Sequence, residues 1–168
     1  IYKKINKLNI KKAILIHMDN YNWTENDFIN FINKKYKNIF YKYILINPNT
    51  VDMKKIKSIL KKIDGVKLHP RLNNFSLKDY KVTKLITLTS KYKLNILIDS
   101  FPDGNSLLDN FNVKDYAILA KKFHDTKFLW AHMGGLKLMD FLFVTKRLNN
   151  VYLDFSYSLL YFRDSSIE

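Results

Sequence analysis

Six residues stand where chemistry could be done: His17, Asn47, His69, Asp99, His132 and Asp154. Each closes or nearly closes a short apolar run, and five of the six are residue types that bind metals or move protons. An apolar segment gains no stability by ending on an ionisable group. Imidazole and carboxylate brought together can exchange a proton with a substrate. The same pair can hold a divalent ion that lowers the pKa of bound water and polarises a carbonyl. Lys67 alternates with His69 in "GVKLHP", so the two side chains share one face. Arg71, just beyond, has the planar fork that clamps a carboxylate.

The runs that must position these groups are residues 12–17, 40–47, 65–69, 95–99, 127–132 and 150–156. Several are nearly continuous in apolar residues, as strands buried on both faces are. Stretches with helical period lie between them. Thr24, with Asp27 three residues on, opens the first helix in the manner of a capping box. Ile56, Ile59, Leu60 and Ile63 carry the next, over about 51–63. Others are expected over about 78–92, 113–123 and 138–148, with a further start near Tyr157. Strand alternating with helix six times predicts a parallel α/β sheet with crossover helices, in one domain over 1–168.

An open nucleotide-binding sheet would show a glycine-rich first turn, whereas "HMDNYNWTEN" follows the first run. The (β/α)8 TIM barrel remains. It needs eight strands over about 250 residues. With about six βα units visible, the expectation is an incomplete barrel, a fragment lacking the first and last strands. Ligands of such folds gather at the carboxyl ends of the strands, where the six polar residues fall.

The sequence resembles the amidohydrolase-related TIM-barrel family of metal-dependent hydrolases and decarboxylases. "AHMGG" (131–135) followed by "NVYLDFS" (150–156) is the most specific part, and "GVKLHP" (65–70) supports it. The resemblance covers about residues 10–156, the second to seventh strands. It implies that His132, before Gly134 and Gly135, is a metal ligand or the catalytic acid/base. It implies that Lys67 and His69 belong to the fourth-strand motif, and that Asp99 stands at the fifth-strand ligand position. His132 and Asp99 are therefore the candidate catalytic and metal-binding residues. Lys67, His69, Arg71 and His17 are the candidate substrate-binding residues. The implied cofactor is a divalent metal, zinc or manganese. The implied reaction is hydrolysis of a C–N or C–O bond of a small anionic molecule, with decarboxylation as a variant.

Two departures support a second reading, a metal-free, catalytically degenerate barrel that binds or scaffolds. No His-x-His pair occurs in the chain, and Asp99 replaces the usual fifth-strand histidine.

Composition narrows the remaining classes. The 168 residues carry a formal net charge of +14, but only Arg71, Arg147 and Arg163 are arginines among 29 basic residues. Dispersed lysines suit solvated helix faces, and no nucleic-acid recognition motif accompanies them. No apolar run reaches the ~18 residues of a membrane helix. Cysteine is absent, which excludes disulfides and thiolate metal sites. With no secretory signal in view, a cytoplasmic location is expected, with a small-molecule substrate and a homo-oligomer left open.

Overall fold

The computed structural model describes residue 5 and residues 7–18, 22–102 and 111–163. Its strands are β1 (Ala13–His17), β2 (Phe40–Leu45), β3 (Gly65–Leu68), β4 (Asn95–Asp99), β5 (Phe128–Ala131) and β6 (Val151–Leu153). They form one six-stranded sheet in the order β1-β2-β3-β4-β5-β6, and every neighbouring pair is parallel. The helices are α1 (Glu25–Lys35), α2 (Ile56–Leu60), α3 (Pro70–Asn73), α4 (Tyr80–Lys91), α5 (Val113–Lys122), α6 (Leu138–Thr145) and α7 (Ser158–Arg163). A 3-10 segment, His132–Lys137, joins β5 to α6. No helix among the described residues is long and apolar enough to cross a membrane.

Local chemistry accounts for the element ends. Thr24 Oγ1 accepts from Asp27 N, and Asp27 Oδ2 accepts from Thr24 N, each at 3.2 Å, which completes the expected box at α1. The helix expected over 51–63 is shorter. Asp52 Oδ1 takes the backbone N–H groups of Lys54 and Lys55 at 2.8 and 3.1 Å, holding a turn until α2 begins at Ile56. The short α3 was not foreseen. His69 caps it through Nδ1, which accepts from Leu72 N at 3.2 Å, and Pro70 supplies the preset first helical residue.

The two faces of the sheet differ. Ile44, Val66, Leu68, Ile96, Ile98, Phe128 and Trp130 pack outward against the helices and build the main core. Each such fully buried side chain contributes about 1.5–3 kcal/mol. The other face holds a smaller cluster of Tyr43, Leu97 and Ala131, flanked by Ile16 and Leu129. A cavity of about 560 Å³ touches Ile14, Tyr41, Lys67, Leu97 and Leu129 from β1 through β5, and Asp154 just past β6. One hollow that reaches all these strands shows the sheet curling into a trough. β1 pairs only with β2, and β6 only with β5, so among the described residues the barrel is incomplete.

Tyr43 forms the floor beneath the polar groups. Its ring lies over Gly65, where a Cβ would stand 2.3 Å from ring carbon Cζ. Only glycine leaves room for this crossing. Lys67 lies one layer nearer the carboxyl ends, beside Leu97 in register, and Asp99 one layer further along.

Candidate active site

Asp99 is the centre of the site. It is 3% exposed at the carboxyl end of β4. Its Oδ1 lies 3.4 Å from His132 Nε2, and its Oδ2 lies 3.6 Å from both His69 Nδ1 and Arg71 Nε. The Tyr116 hydroxyl donates to the Asp99 carbonyl at 2.7 Å and ties the end of β4 to α5. Burial alone would raise the carboxyl pKa, but the His132 contact and the charges of His69, Arg71 and Lys67 outweigh it. The group is left below the ordinary carboxylate range.

His132 is held between two acceptors. Its Nδ1 lies 2.8 Å from the Ser156 carbonyl, which can only accept, so Nδ1 carries a proton. Its Nε2 lies 3.4 Å from Asp99 Oδ1, an ion pair when the ring is protonated, although Oδ1 accepts no hydrogen bond in this geometry. The Asp99 contact, helped by Ser156, raises the His132 pKa against the opposing effect of burial. Phe101 and Tyr157 close on the ring edge-to-face, at centroid distances of 5.9 and 6.1 Å.

The backbone that delivers His132 is strained. His132 has φ +64° and Met133 φ +49°, in the left-handed region that costs a side-chain-bearing residue about 1–2 kcal/mol. Gly134 follows at φ +77°, and a Cβ there would meet Phe141 at 2.2 Å. A Cβ on Gly135 would meet Phe101 at 2.7 Å. Buried Ser100 secures the turn, donating to the Ala131 carbonyl and accepting from Gly134 N at 3.2 Å. Ser158 donates to the His132 carbonyl. These contacts hold the strained backbone in place.

Asp154 acts on His132 indirectly. It accepts from Ser156 N at 2.8 Å and from Ser156 Oγ at 2.6 Å, which fixes the carbonyl that His132 uses. Lys67 is 8% exposed and lines the cavity. Burial lowers its pKa, opposed by Asp99 and Asp154 and reinforced by Arg71. Burial also lowers the pKa of His69, which favours the neutral ring.

The structure thus gathers His69, Arg71 and His132 around Asp99, with Lys67 near enough for its charge to act on the carboxylate; of these, Lys67 and His132 line the cavity. His17 stands apart. In register with Ile44, it belongs to the helix-facing side, where Nε2 donates to the Trp23 carbonyl at 2.8 Å and the ring packs on Phe28. Ser100 carried no motif in the sequence, and Ser156, though the last residue of "NVYLDFS", was not singled out, since their roles arise from contacts 34 and 24 residues away.

A divalent metal does not fit the described donor set. Among the described residues, no group of three or more His, Cys, Asp or Glu side chains is placed to hold a metal ion. Asp99 and His132 face each other, and Arg71 and Lys67 already supply the carboxylate with positive charge. A dication there would be repelled by both.

No protein-family model matches the sequence, and no curated protein matches it. Solved structures do. An uncharacterised TIM-barrel protein from Bordetella bronchiseptica superimposes with TM-score 0.75 at 14% identity, covering 97% of this chain and 59% of its own. A probable 2-pyrone-4,6-dicarboxylic acid hydrolase from Acinetobacter baumannii, with citric acid bound, gives 0.63 at 14%, covering 93% and 58%. Amidohydrolase 2 from Bifidobacterium longum subsp. infantis gives 0.60 at 13%, covering 97% and 65%. The chain spans about three-fifths of the length of these proteins, and its fold is the corresponding part of a TIM barrel of the kind found in amidohydrolase-type hydrolases.

Proposed function

We propose that the trough mouth is the active site of a hydrolase acting on a C–O or C–N bond of a small anionic substrate. The carrying observation is the buried Asp99 carboxylate set against the His132 imidazole at 3.4 Å, with His69 and Arg71 at 3.6 Å. Arg71 and Lys67 attract the anion. A cavity of about 560 Å³ suits a small ligand. His132 donates its Nε2 proton to the departing oxygen or nitrogen, and Asp99 receives the proton of the attacking water. Opposite pKa shifts in adjacent groups separate acid from base. The fold shared with amidohydrolase-type hydrolases supports the reaction class.

The test is a panel of small carboxylated lactones, esters and amides, assayed with the protein before and after chelator treatment. Turnover that survives chelation and falls about 10²-fold or more in His132→Ala supports the proposal. Turnover that requires added zinc or manganese sinks its metal-free form. Anion binding without turnover, unchanged in His132→Ala, identifies the barrel as a binding protein.

A further inference from the structure

Lys67 has features that charge neutralisation alone does not explain. It is a lysine on the inner face of a central strand, 8% exposed, with its side chain lining the cavity. No hydrogen bond or ion pair joins its Nζ to another described residue, although Asp99 and Asp154 both act on its charge. The floor below it is the Tyr43 ring over Gly65, and the walls at its level are Leu97 and Leu129. An apolar setting with a second cation nearby is the environment that turns a lysine into a nucleophile. Burial is the largest influence and favours the uncharged amine; Asp99 and Asp154 oppose it and Arg71 adds to it.

From this geometry we infer that Lys67 is a covalent site, an amine that captures the carbonyl carbon of a small oxo acid as an imine. The nitrogen lone pair forms the new C–N bond while the carbonyl π pair moves to oxygen. A proton passes from nitrogen to that oxygen, giving the neutral carbinolamine. A second proton, released from the ammonium at the outset and held by a neighbouring carboxylate, then protonates the hydroxyl. Water leaves and the nitrogen lone pair closes the iminium. The sum is ammonium plus carbonyl giving iminium plus water, and hydrolysis reverses it. Arg71, whose charge acts on Lys67, is the group assigned to the substrate carboxylate. This site shares the cup of the proposed hydrolase but does not depend on hydrolysis.

The experiment incubates the wild-type chain with pyruvate near neutral pH, adds sodium borohydride to deliver hydride to the imine carbon, and maps the reduced adduct by peptide mass spectrometry. The other lysines of the same molecule are the internal control. The expected result is one reduced pyruvate per chain on Lys67, about tenfold above the typical surface lysine. Acetone under the same conditions labels Lys67 less, and Arg71→Gln removes most of the preference for pyruvate. Lys67→Arg leaves the circular dichroism spectrum unchanged and loses the adduct. Label spread evenly over surface lysines, or Lys67 unlabelled in folded protein, overturns the covalent site. Equal labelling by acetone overturns the oxo-acid assignment. Lys67 labelling with no turnover of any ester, lactone or amide would keep this site and sink the hydrolase.

Discussion

Ser156 holds His132 from the side opposite Asp99. Its carbonyl takes the Nδ1 proton at 2.8 Å, while Nε2 points at the carboxylate 3.4 Å away. The two contacts orient the ring, and both favour its protonated form.

This arrangement fixes the sign of a pH dependence. The His132 pKa is raised on folding, chiefly by Asp99. Its contribution to stability is then fully present below the unfolded value of about 6.5 and is lost as pH rises through the higher folded value. Asp99 is depressed, so its contribution is present above about 3.9 and lost as pH falls through the lower folded value. Stability against urea should therefore be greatest in the interval between the two unfolded values. An NMR titration should find His132 titrating above an ordinary histidine and His69 below one. The reverse order would refute the assignment.

Asp99→Asn removes the charge that Arg71, His69 and His132 share. The His132 pKa should drop toward its ordinary value, and turnover should fall about 10²-fold or more. The NMR titration checks the first and steady-state kinetics the second. An unshifted His132 would show that Asp99 is not its main partner.

Asp154→Ala should act through Ser156. Without the two bonds at 2.6 and 2.8 Å, the Ser156 carbonyl loses its fixed place and kcat falls with little change in KM. Asp154→Asn, whose amide oxygen can still accept from Ser156 N, should restore part of the rate. A rise in KM alone would make Asp154 a substrate contact instead of a positioning residue.

Gly134→Ala tests the turn. The new Cβ would meet Phe141 at 2.2 Å at a residue with φ +77°. Overpacking and strain together should cost about 2–4 kcal/mol, read as a lower urea midpoint. A variant of unchanged midpoint would mean that the turn moves freely.

Much of the architecture could be read from apolar runs and their spacing. "KFLWA" and "NILID" could hardly be anything but buried strands, and Thr24 with Asp27 announced α1 correctly. The carboxyl-end rule placed His69, Asp99 and His132 together, because parallel strands all end at one side. It failed for His17, since an end residue can point to either face and only register decides which. Arg71 could be named as a carboxylate clamp from its type, but that α3, capped by His69, turns it toward Asp99 was not legible. Where the charge of Arg71 and Lys67 would lie relative to Asp99 was a matter of three-dimensional placement that no spacing encodes.

The left-handed backbone at His132 sets thermodynamics against usefulness at that position. Glycine, and to a lesser degree asparagine, would suit φ +64° better than histidine does. Selection of this chain for heat resistance alone would therefore drift toward discarding the imidazole, yielding hardier molecules whose Asp99 has lost its nearest ring.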